Sequence, residues 1–168
     1  MNGVFALLVF VTLQRLAELV HARRNTKRLL AEGAVEIGAD HYPLLVLLHA
    51  SWLGAVWILA ISDHAILWWP AVLAYATVEI ARVWVMASLG RYWTTRILVP
   101  REAALVRRGP YRFLRHPNYW VVVFEIALLP MALGSWNLAA IFSVLNAAVL
   151  LWRIRIEEET LAARRKAA

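Results

Sequence analysis

Five apolar stretches follow one another along the chain, and they limit the folds open to it. They span residues 3–20, 42–61, 65–89, 119–133 and 138–152. A helix needs about twenty apolar residues to cross a hydrocarbon core, where the backbone must satisfy its own hydrogen bonds. The last two stretches, of about fifteen residues each, would cross as a packed hairpin. The pattern predicts an all-α, polytopic integral membrane protein with about five transmembrane helices.

Composition agrees with this class and removes several kinds of site. The 168 residues are 62% hydrophobic and only 17% charged, which fits one membrane domain over residues 1–168 and not a soluble globule. With no cysteines, disulfides, thiolate metal sites and cysteine nucleophiles are excluded. The five histidines lack metal-ligand spacing, and no phosphate-binding glycine loop is present. We therefore predict no metal site and no Rossmann-type cofactor site.

The basic residues divide unequally between the two ends of the predicted helices. Sixteen of the 18 lysines and arginines fall in segments 21–41, 90–118 and 153–168, which five spans place on one side. By the positive-inside rule that side is cytoplasmic. The net charge of +7 would also suit nucleic acid, but membrane topology explains it, so no nucleic-acid partner is predicted.

One basic segment, 105–120 with the sequence LVRRGPYRFLRHPNYW, concentrates the polar chemistry. Its Gly-Pro and His-Pro pairs interrupt helices, because proline lacks the N–H group and restricts the residue before it. We predict a turn-rich loop that leads into a helix near Tyr119. This loop and the charged tail after residue 152 would form a cytoplasmic cofactor-binding region.

Ionisable residues inside the apolar stretches are costly in lipid, so each needs a role. Glu79 and Arg82 share a helical face and form either a neutralising pair or the wall of a cavity entered from the cytoplasm. Glu125 would partner an arginine of the basic loop or satisfy a neighbouring helix. Glu18 and His49 are predicted to be packing partners.

The start of the tail carries a pair of opposite charges. Arg153 and Glu157 are spaced i, i+4, which by default indicates a surface ion pair. Because this pair begins where the fifth span ends, it could instead close over the basic loop.

Three motifs together resemble a known family. GPYRFLRHPNY (109–119), RIRIEEETL (153–161) and LGRYWTTRILV (89–99) are similar to the isoprenylcysteine carboxyl methyltransferase family. They most resemble its small bacterial branch, linked to methylation of alkylpyrones and phenolic lipids made by type III polyketide synthases. The resemblance covers residues 79–161, about half the chain.

The resemblance implies an enzyme of the bacterial cell membrane that uses S-adenosylmethionine, releases S-adenosylhomocysteine and methylates a lipophilic acceptor from the bilayer. Its active site would face the cytoplasm. The implied catalytic residues are Glu79, Arg82 and Arg153. The implied cofactor-binding residues are Leu105, Val106, Tyr111, His116, Pro117, Asn118, Tyr119, Glu157 and Glu158.

The chemistry of methyl transfer leaves three functions open. For O-methylation of an ionised acceptor, Arg153 or Arg82 would hold the acceptor oxygen, with Glu79 orienting Arg82, and no general base is required. For N-methylation of a phospholipid amine, Glu79 or Glu125 would act as the base. In a non-enzymatic scaffold, the basic loop would bind anionic lipid headgroups.

Overall fold

A computed structural model describes residues 2–62, 65–100 and 106–167, with side chains to residue 159. In this part of the chain, five helices carry nearly all the structure, which confirms the predicted all-α class. The helices are α1 (Asn2–Ala31), α2 (Tyr42–Ile61), α3 (Trp69–Leu89), α4 (Pro117–Ala132) and α5 (Trp136–Ala167). Two short strands, β1 (Val35–Ile37) and β2 (Ile97–Val99), add a small antiparallel sheet.

The helices have the length and surface of membrane-spanning segments. Among the described residues, α1, α2, α3 and α5 are long and apolar enough to cross a bilayer, and α4 is shorter, at 16 residues. Large apolar side chains point outward from all parts of the bundle, including Leu47, Ile58, Ile80 and Val144. A continuous apolar exterior suits hydrocarbon, so the chain is an integral membrane protein.

Two helix boundaries differ from the prediction. Residues 21–31, expected to begin a loop, continue α1 to Ala31. The physical reason is that Ala22, Asn25 and Leu29 recur at helical spacing and are buried, so this polar segment still has an inward face. α3 begins at Trp69 instead of residue 65, with Pro70 in its first turn, where proline's missing N–H costs nothing.

The five helices pack as an incomplete ring. In order around the ring, α1 packs on α2, α2 on α5, α5 on α4, and α4 on α3. The core between them includes Leu8 of α1, Val56 of α2 and Leu129 of α4, which are fully buried. Between α1 and α3, the first and last helices of the ring, a cleft remains open.

A proline in α4 creates a specific bond between helices. Pro130 has no N–H, so the carbonyl of Ile126, four residues earlier, lacks its usual intrahelical donor. The indole Nε1 of Trp52 on α2 donates to this carbonyl at 3.1 Å. This hydrogen bond joins α2 to α4 at the turn where Pro130 removes a backbone hydrogen bond of α4.

The small sheet places the two long basic connections at the same end of the bundle. β1 follows α1 and β2 follows α3, and Val35 pairs with Val99 and Ile37 with Ile97. Arg96 Nη1 also donates to Glu36 Oε1 at 2.6 Å beside the sheet. At the opposite end, the rings of Trp68 and Trp136 pack together with centroids 5.3 Å apart and planes inclined by 54°. We call the end that carries the sheet the basic end.

Candidate functional site

At the basic end, α4 and α5 bring four polar side chains together. His116 lies directly before α4, and Tyr119 lies in the first turn of α4. Arg153 and Glu157 lie one turn apart on α5. The Tyr119 hydroxyl donates a hydrogen bond to the Glu157 carboxylate. Arg153 Nε donates to the same hydroxyl at 3.0 Å. We call His116, Tyr119, Arg153 and Glu157 the α4–α5 cluster.

His116 forms the outer wall of this cluster. Its ring stacks on the Tyr119 ring, with centroids 5.2 Å apart and planes inclined by 17°. Its Nδ1 lies 3.8 Å from Glu157 Oε2, and its Nε2 lies 3.8 Å from Glu158 Oε1. His116 directly precedes Pro117, which begins α4 and keeps the His116 backbone out of the helical conformation, and the His116 ring lies against the first turn of α4. The result is two parallel aromatic faces beside two carboxylates.

Two buried polar atoms in this region have no hydrogen-bond partner among the described residues. They are Nη1 of Arg153, whose side chain is buried, and Oδ1 of Asn118. An unsatisfied buried polar atom costs about 1–3 kcal/mol, and more for a charged group. The expected surface ion pair of Arg153 and Glu157 is therefore wrong: Arg153 is buried and contacts Tyr119 instead. Its free nitrogen is the kind of donor that an anionic ligand group would satisfy.

The other cofactor-binding residues that the resemblance implies are not members of the α4–α5 cluster. Tyr111 sits in a 3-10 turn, Gly109–Arg112, where burial raises the pKa of its hydroxyl and the nearby Glu157 carboxylate adds to that rise. Pro117 is buried at the start of α4, and Val106 is half-buried just before the turn. Leu105 lies outside the described residues.

The basic loop is fixed to the end of α3 by a close approach. Gly109 has a φ of 57°, and any Cβ there would collide with the Ser88 hydroxyl. The neighbouring Arg108 donates from Nε to the Ser88 carbonyl at 2.7 Å, an interaction that suits the negative end of a helix. Gly109 therefore allows the loop to lie against α3 and to turn back toward α4.

A second polar cluster lies inside the bundle, between α1, α3 and α4. Arg82 holds Glu125 through two of its nitrogens, Nε and Nη2, and reaches Glu18 from Nη1 at 3.0 Å. Arg15 reaches Glu79 at 2.7 Å, Glu18 at 2.8 Å and Glu125 at 3.0 Å. We call these two arginines and three glutamates the ion network; fully ionised, it carries one net negative charge.

The ion network corrects several predictions. Glu79 does not pair with Arg82; its partners are Arg15 and Gln14 of α1. Arg82 is held by Glu125 and Glu18, so Glu79 does not orient it. Glu125 satisfies neighbouring helices, one of its two predicted roles, and contacts no arginine of the basic loop among the described residues. Helical spacing placed Glu79 and Arg82 on one face but could not show that charges from other helices lie closer.

Glu18 and His49 were both predicted to be packing partners. Glu18 is an ion-pair partner of Arg15 and Arg82, which is a structural role of a more polar kind. His49 donates one hydrogen bond from Nδ1 to the Leu45 carbonyl of its own helix, at 2.9 Å. The bond within α2 agrees with a structural role for His49.

The open cleft between α1 and α3 has a volume of about 690 Å³. It runs from Leu7 to His21 along α1, which is about 21 Å at the rise of an α-helix. Most of the residues that line the cleft are apolar, and Glu18 and Glu79 of the ion network form part of its inner surface. The polar residues that line it are Gln14, Glu18, His21, Tyr75 and Glu79.

Sequence reasoning missed two residues that the structure makes prominent. Arg15 is given no role by the sequence alone, but this residue is the cation that joins α1 to α3. His41 is likewise given no role, but its side chain is only 2% exposed. A polar residue within an apolar stretch could have singled out Arg15; nothing in the sequence distinguishes His41.

A comparison with protein families gives this geometry its context. The model of the isoprenylcysteine carboxyl methyltransferase (ICMT) family matches residues 71–163, which is more than half of the chain. The chain belongs to the isoprenylcysteine carboxyl methyltransferase family. The match contains the whole α4–α5 cluster together with Glu79, Arg82 and Glu125. The resemblance drawn from the sequence motifs is therefore confirmed, and the protein is a membrane methyltransferase.

Individual relatives extend the similarity over the first two helices. A Bacillus subtilis protein described as uncharacterized protein YpbQ is 37% identical over 158 residues, covering 92% of this chain and 94% of its own. An uncharacterized protein of Haemophilus influenzae is 25% identical over 142 residues, covering 82% of this chain and 83% of its own. No solved structure shows significant similarity. The likeness to YpbQ includes α1, and hence Arg15 and Glu18 of the ion network lie within the aligned length.

Proposed function

We propose that this methyltransferase uses S-adenosylmethionine to O-methylate a lipophilic acceptor that carries an acidic oxygen, either a carboxylate or an alkylpyrone or phenolic hydroxyl. The observation that carries the proposal is the buried Arg153 of the α4–α5 cluster, whose Nη1 has no hydrogen-bond partner in the part of the chain that the structure describes. An arginine that is fixed in place, desolvated and only partly satisfied suits an oxygen anion. Arg153 lies between α4 and α5, within the residues that the family model matches, near the rings of His116 and Tyr119 and the carboxylates of Glu157 and Glu158.

The residues of the basic end fit the methyl donor. Its amino group is cationic and suits Glu157 and Glu158, while its sulfonium and its adenine suit the parallel faces of His116 and Tyr119. Oδ1 of Asn118, which has no hydrogen-bond partner within residues 2–62, 65–100 and 106–159, supplies a further acceptor. By the family resemblance, Leu105, Val106, Tyr111 and Pro117 complete the walls. When bound, the donor supplies an activated methyl group; the protein supplies alignment.

Between the two arginines proposed for the acceptor, the contacts favour Arg153. All three nitrogens of the Arg82 guanidinium already contact carboxylates of the ion network. A ligand would have to displace one of these carboxylates, whereas Arg153 has an unused donor. We therefore assign the acceptor oxygen to Arg153, and we assign Glu79 and Arg82 to holding α1, α3 and α4 together beneath it.

The location of the reaction follows from charge and shape. The α4–α5 cluster lies at the basic end, which the positive-inside rule makes cytoplasmic, so the donor would come from the cytoplasm of a bacterial cell. The acceptor would come from the bilayer, since the exterior is apolar and the cleft between α1 and α3 could take up an alkyl chain. A type III polyketide synthase is the proposed source of such an acceptor.

Titration calorimetry with S-adenosylhomocysteine, in detergent that preserves the fold, tests the donor site. We expect binding by the wild type, and a loss of about tenfold or more in Glu157→Gln, because that change removes a charge-assisted hydrogen bond. Glu32→Gln is the matched control, since Glu32 pairs with Arg91 on the exposed surface. No binding by the wild type would contradict the proposal and favour a scaffold that binds anionic lipids.

Incubation of membranes that contain the protein with labelled S-adenosylmethionine tests the acceptor class. We expect label in a lipid extract, and mass spectrometry should find a methyl ester or methyl ether. Label in a methylated phospholipid amine would contradict O-methylation.

That second outcome has one observation in its favour. The ion network carries an excess of one carboxylate over its arginines, and Glu79 and Glu18 line the open cleft, an environment that attracts a cation. N-methylation of a phospholipid amine is therefore the second candidate. It predicts that Glu79→Gln abolishes labelling, whereas O-methylation through Arg153 predicts that this variant keeps the same product.

A further inference from the structure

Two large apolar side chains are exposed on a turn of the basic loop. Phe113 is 78% exposed and Leu114 is 46% exposed, and both lie shortly before His116 of the α4–α5 cluster. The 3-10 turn Gly109–Arg112 precedes them, and their backbone N–H groups donate to the Pro110 carbonyl at 3.1 and 3.0 Å. The two side chains therefore project from a hydrogen-bonded turn.

Two arginines flank these side chains, and neither forms an ion pair within the part of the chain that the structure describes. Arg112 and Arg115 are exposed, and residues 106–120 contain no acidic side chain. Arg91, in the connection after α3 at the same end of the bundle, instead forms an ion pair with Glu32. The flanking arginines thus leave two positive charges beside an apolar pair, a combination that suits an anionic lipid surface.

The length of α4 places this turn at the depth of the lipid headgroups. The 16 residues of α4 span about 24 Å, which is less than a hydrocarbon core of about 30 Å. At the far end of α4, the Ala132 carbonyl accepts from the Trp68 N–H at 2.9 Å, next to the tryptophan pair that suits the opposite interface. Counted from that interface, α4 begins within the leaflet at the basic end, and Trp120 in its first turn is 55% exposed. The residues just before α4 therefore lie against lipid and not in bulk water.

We propose that residues 112–115, which we call the docking turn, bind the membrane surface at the basic end. Phe113 and Leu114 insert into the leaflet, and Arg112 and Arg115 bind the phosphates of anionic phospholipids, which the planar guanidinium group suits. Because His116 is the next residue, the docking turn fixes the entrance of the α4–α5 cluster at the lipid surface. The docking involves no step of methyl transfer, so its test is independent of the proposed function.

A single cysteine can report the docking, because the chain has none of its own. Leu114→Cys is labelled with a nitrobenzoxadiazole dye and reconstituted in nanodiscs of phosphatidylcholine, with or without about one third phosphatidylglycerol. Acrylamide, which is uncharged, quenches the dye from water, and a phosphatidylcholine spin-labelled near the top of its acyl chain quenches it from the leaflet. We expect quenching by the spin-labelled lipid in both discs, and more of it with phosphatidylglycerol. Glu32→Cys, exposed at the same end of the bundle, is the matched control and should be quenched mainly by acrylamide.

Substitutions in the Leu114→Cys background separate the contributions of charge and apolar surface. Arg112→Gln combined with Arg115→Gln should lower the ratio of inserted to exposed dye in the anionic discs by about fivefold for each arginine. Arg23→Gln combined with Arg24→Gln removes the same charge from exposed positions of α1, and should change the ratio by less than about twofold. Phe113→Ser should lower the ratio in both kinds of disc, because it removes apolar surface and no charge.

Several results would overturn the proposal. If acrylamide quenches the dye at position 114 as strongly as the dye at position 32 in both discs, the turn lies in water. Equal effects of the two arginine pairs would show a general response to net charge. If S-adenosylhomocysteine moves the dye out of water and phosphatidylglycerol does not, the turn covers the donor site instead. Inorganic phosphate added to phosphatidylcholine discs should have no effect; an effect equal to that of phosphatidylglycerol would assign the arginines to a free anion.

Discussion

Tyr119 is the side chain through which the α4–α5 cluster is assembled. Its hydroxyl accepts from Arg153 Nε and donates to Glu157, so one oxygen connects the proposed acceptor group to the proposed donor group. The ring of the same residue forms half of the stacked pair with His116. Tyr119 therefore has two separable contributions, an aromatic face and a polar bridge.

Tyr119→Phe separates these contributions, because it keeps the ring and removes the bridge. We expect the affinity for S-adenosylhomocysteine to change little, since the ring face and Glu157 remain. Turnover should fall about tenfold to 100-fold, because Arg153 loses the bond that fixes its guanidinium, and small misplacements are costly in alignment-driven reactions. Steady-state kinetics with calorimetry on the same preparation checks this.

A matched control for that change is Tyr111→Phe. Tyr111 is half-buried near the cluster, but no hydrogen bond of its hydroxyl to the cluster is seen among the described residues. We expect a smaller loss of turnover than for Tyr119→Phe. Equal losses in the two variants would mean that the bridge has no special role.

Helix α4 depends on its neighbours because of its own sequence. At 16 residues it is the shortest of the five helices, and Pro130 removes one of its hydrogen bonds. Trp52 of α2 supplies the missing donor to the Ile126 carbonyl. A short helix that carries Tyr119 of the α4–α5 cluster in its first turn is thereby fixed at its far end by a different helix.

This arrangement predicts coupling between residues 52 and 130. Trp52→Phe should lower the free energy of unfolding by about 1–3 kcal/mol, because it leaves a buried carbonyl unpaired. In a Pro130→Ala background, the alanine N–H can bond to the Ile126 carbonyl, so the same change should cost less. Detergent or denaturant titrations of the four proteins form a double-mutant cycle.

Equal costs of Trp52→Phe in the two backgrounds would contradict this account. In that case the Trp52 side chain would act only through packing. Trp57→Phe serves as a control outside the pair, because its indole donates to Thr12 of α1 at 3.0 Å and not to α4.

The presence and approximate positions of the five apolar helices were predictable because hydrophobic stretches of fixed length can adopt few structures in lipid. The convergence of His116, Tyr119 and Glu157 was also suggested by the Pro-bounded loop and the charged tail. What the sequence did not show was contacts between helices. Arg15 and Glu79 are 64 residues apart, and their meeting depends on how α1 and α3 are rotated about their axes. Spacing within one helix carries no information about that rotation.

The molecule as a whole has a strong asymmetry of charge between its ends. The small sheet, the basic connections and the polar half of α5 share one end, and a tryptophan pair marks the other. Because the chain has no cysteines, single cysteines can report directly on sidedness. Glu32 and Asn137 are suitable sites, since both are exposed and lie at opposite ends.

We expect Asn137→Cys to react with a membrane-impermeant maleimide added to cells whose outer barrier has been opened and whose inner membrane is intact. Glu32→Cys should react only after the inner membrane is permeabilised. The reverse pattern would place the basic end outside and would contradict a cytoplasmic active site. Labelling of both variants from the same side would contradict the alternation of the spans.

Helix α5 joins the hydrophobic interior and the α4–α5 cluster as one uninterrupted rod from Trp136 onward. Val144 and Leu151 on this helix face outward, about two and a half turns and about half a turn before Arg153. A stiff segment of this kind transmits vertical displacement, so the height of Arg153 relative to the hydrocarbon surface follows the thickness of the surrounding bilayer. We therefore expect membranes built from shorter or longer acyl chains to raise or lower Arg153 relative to the proposed acceptor in the leaflet, and turnover to depend on lipid composition.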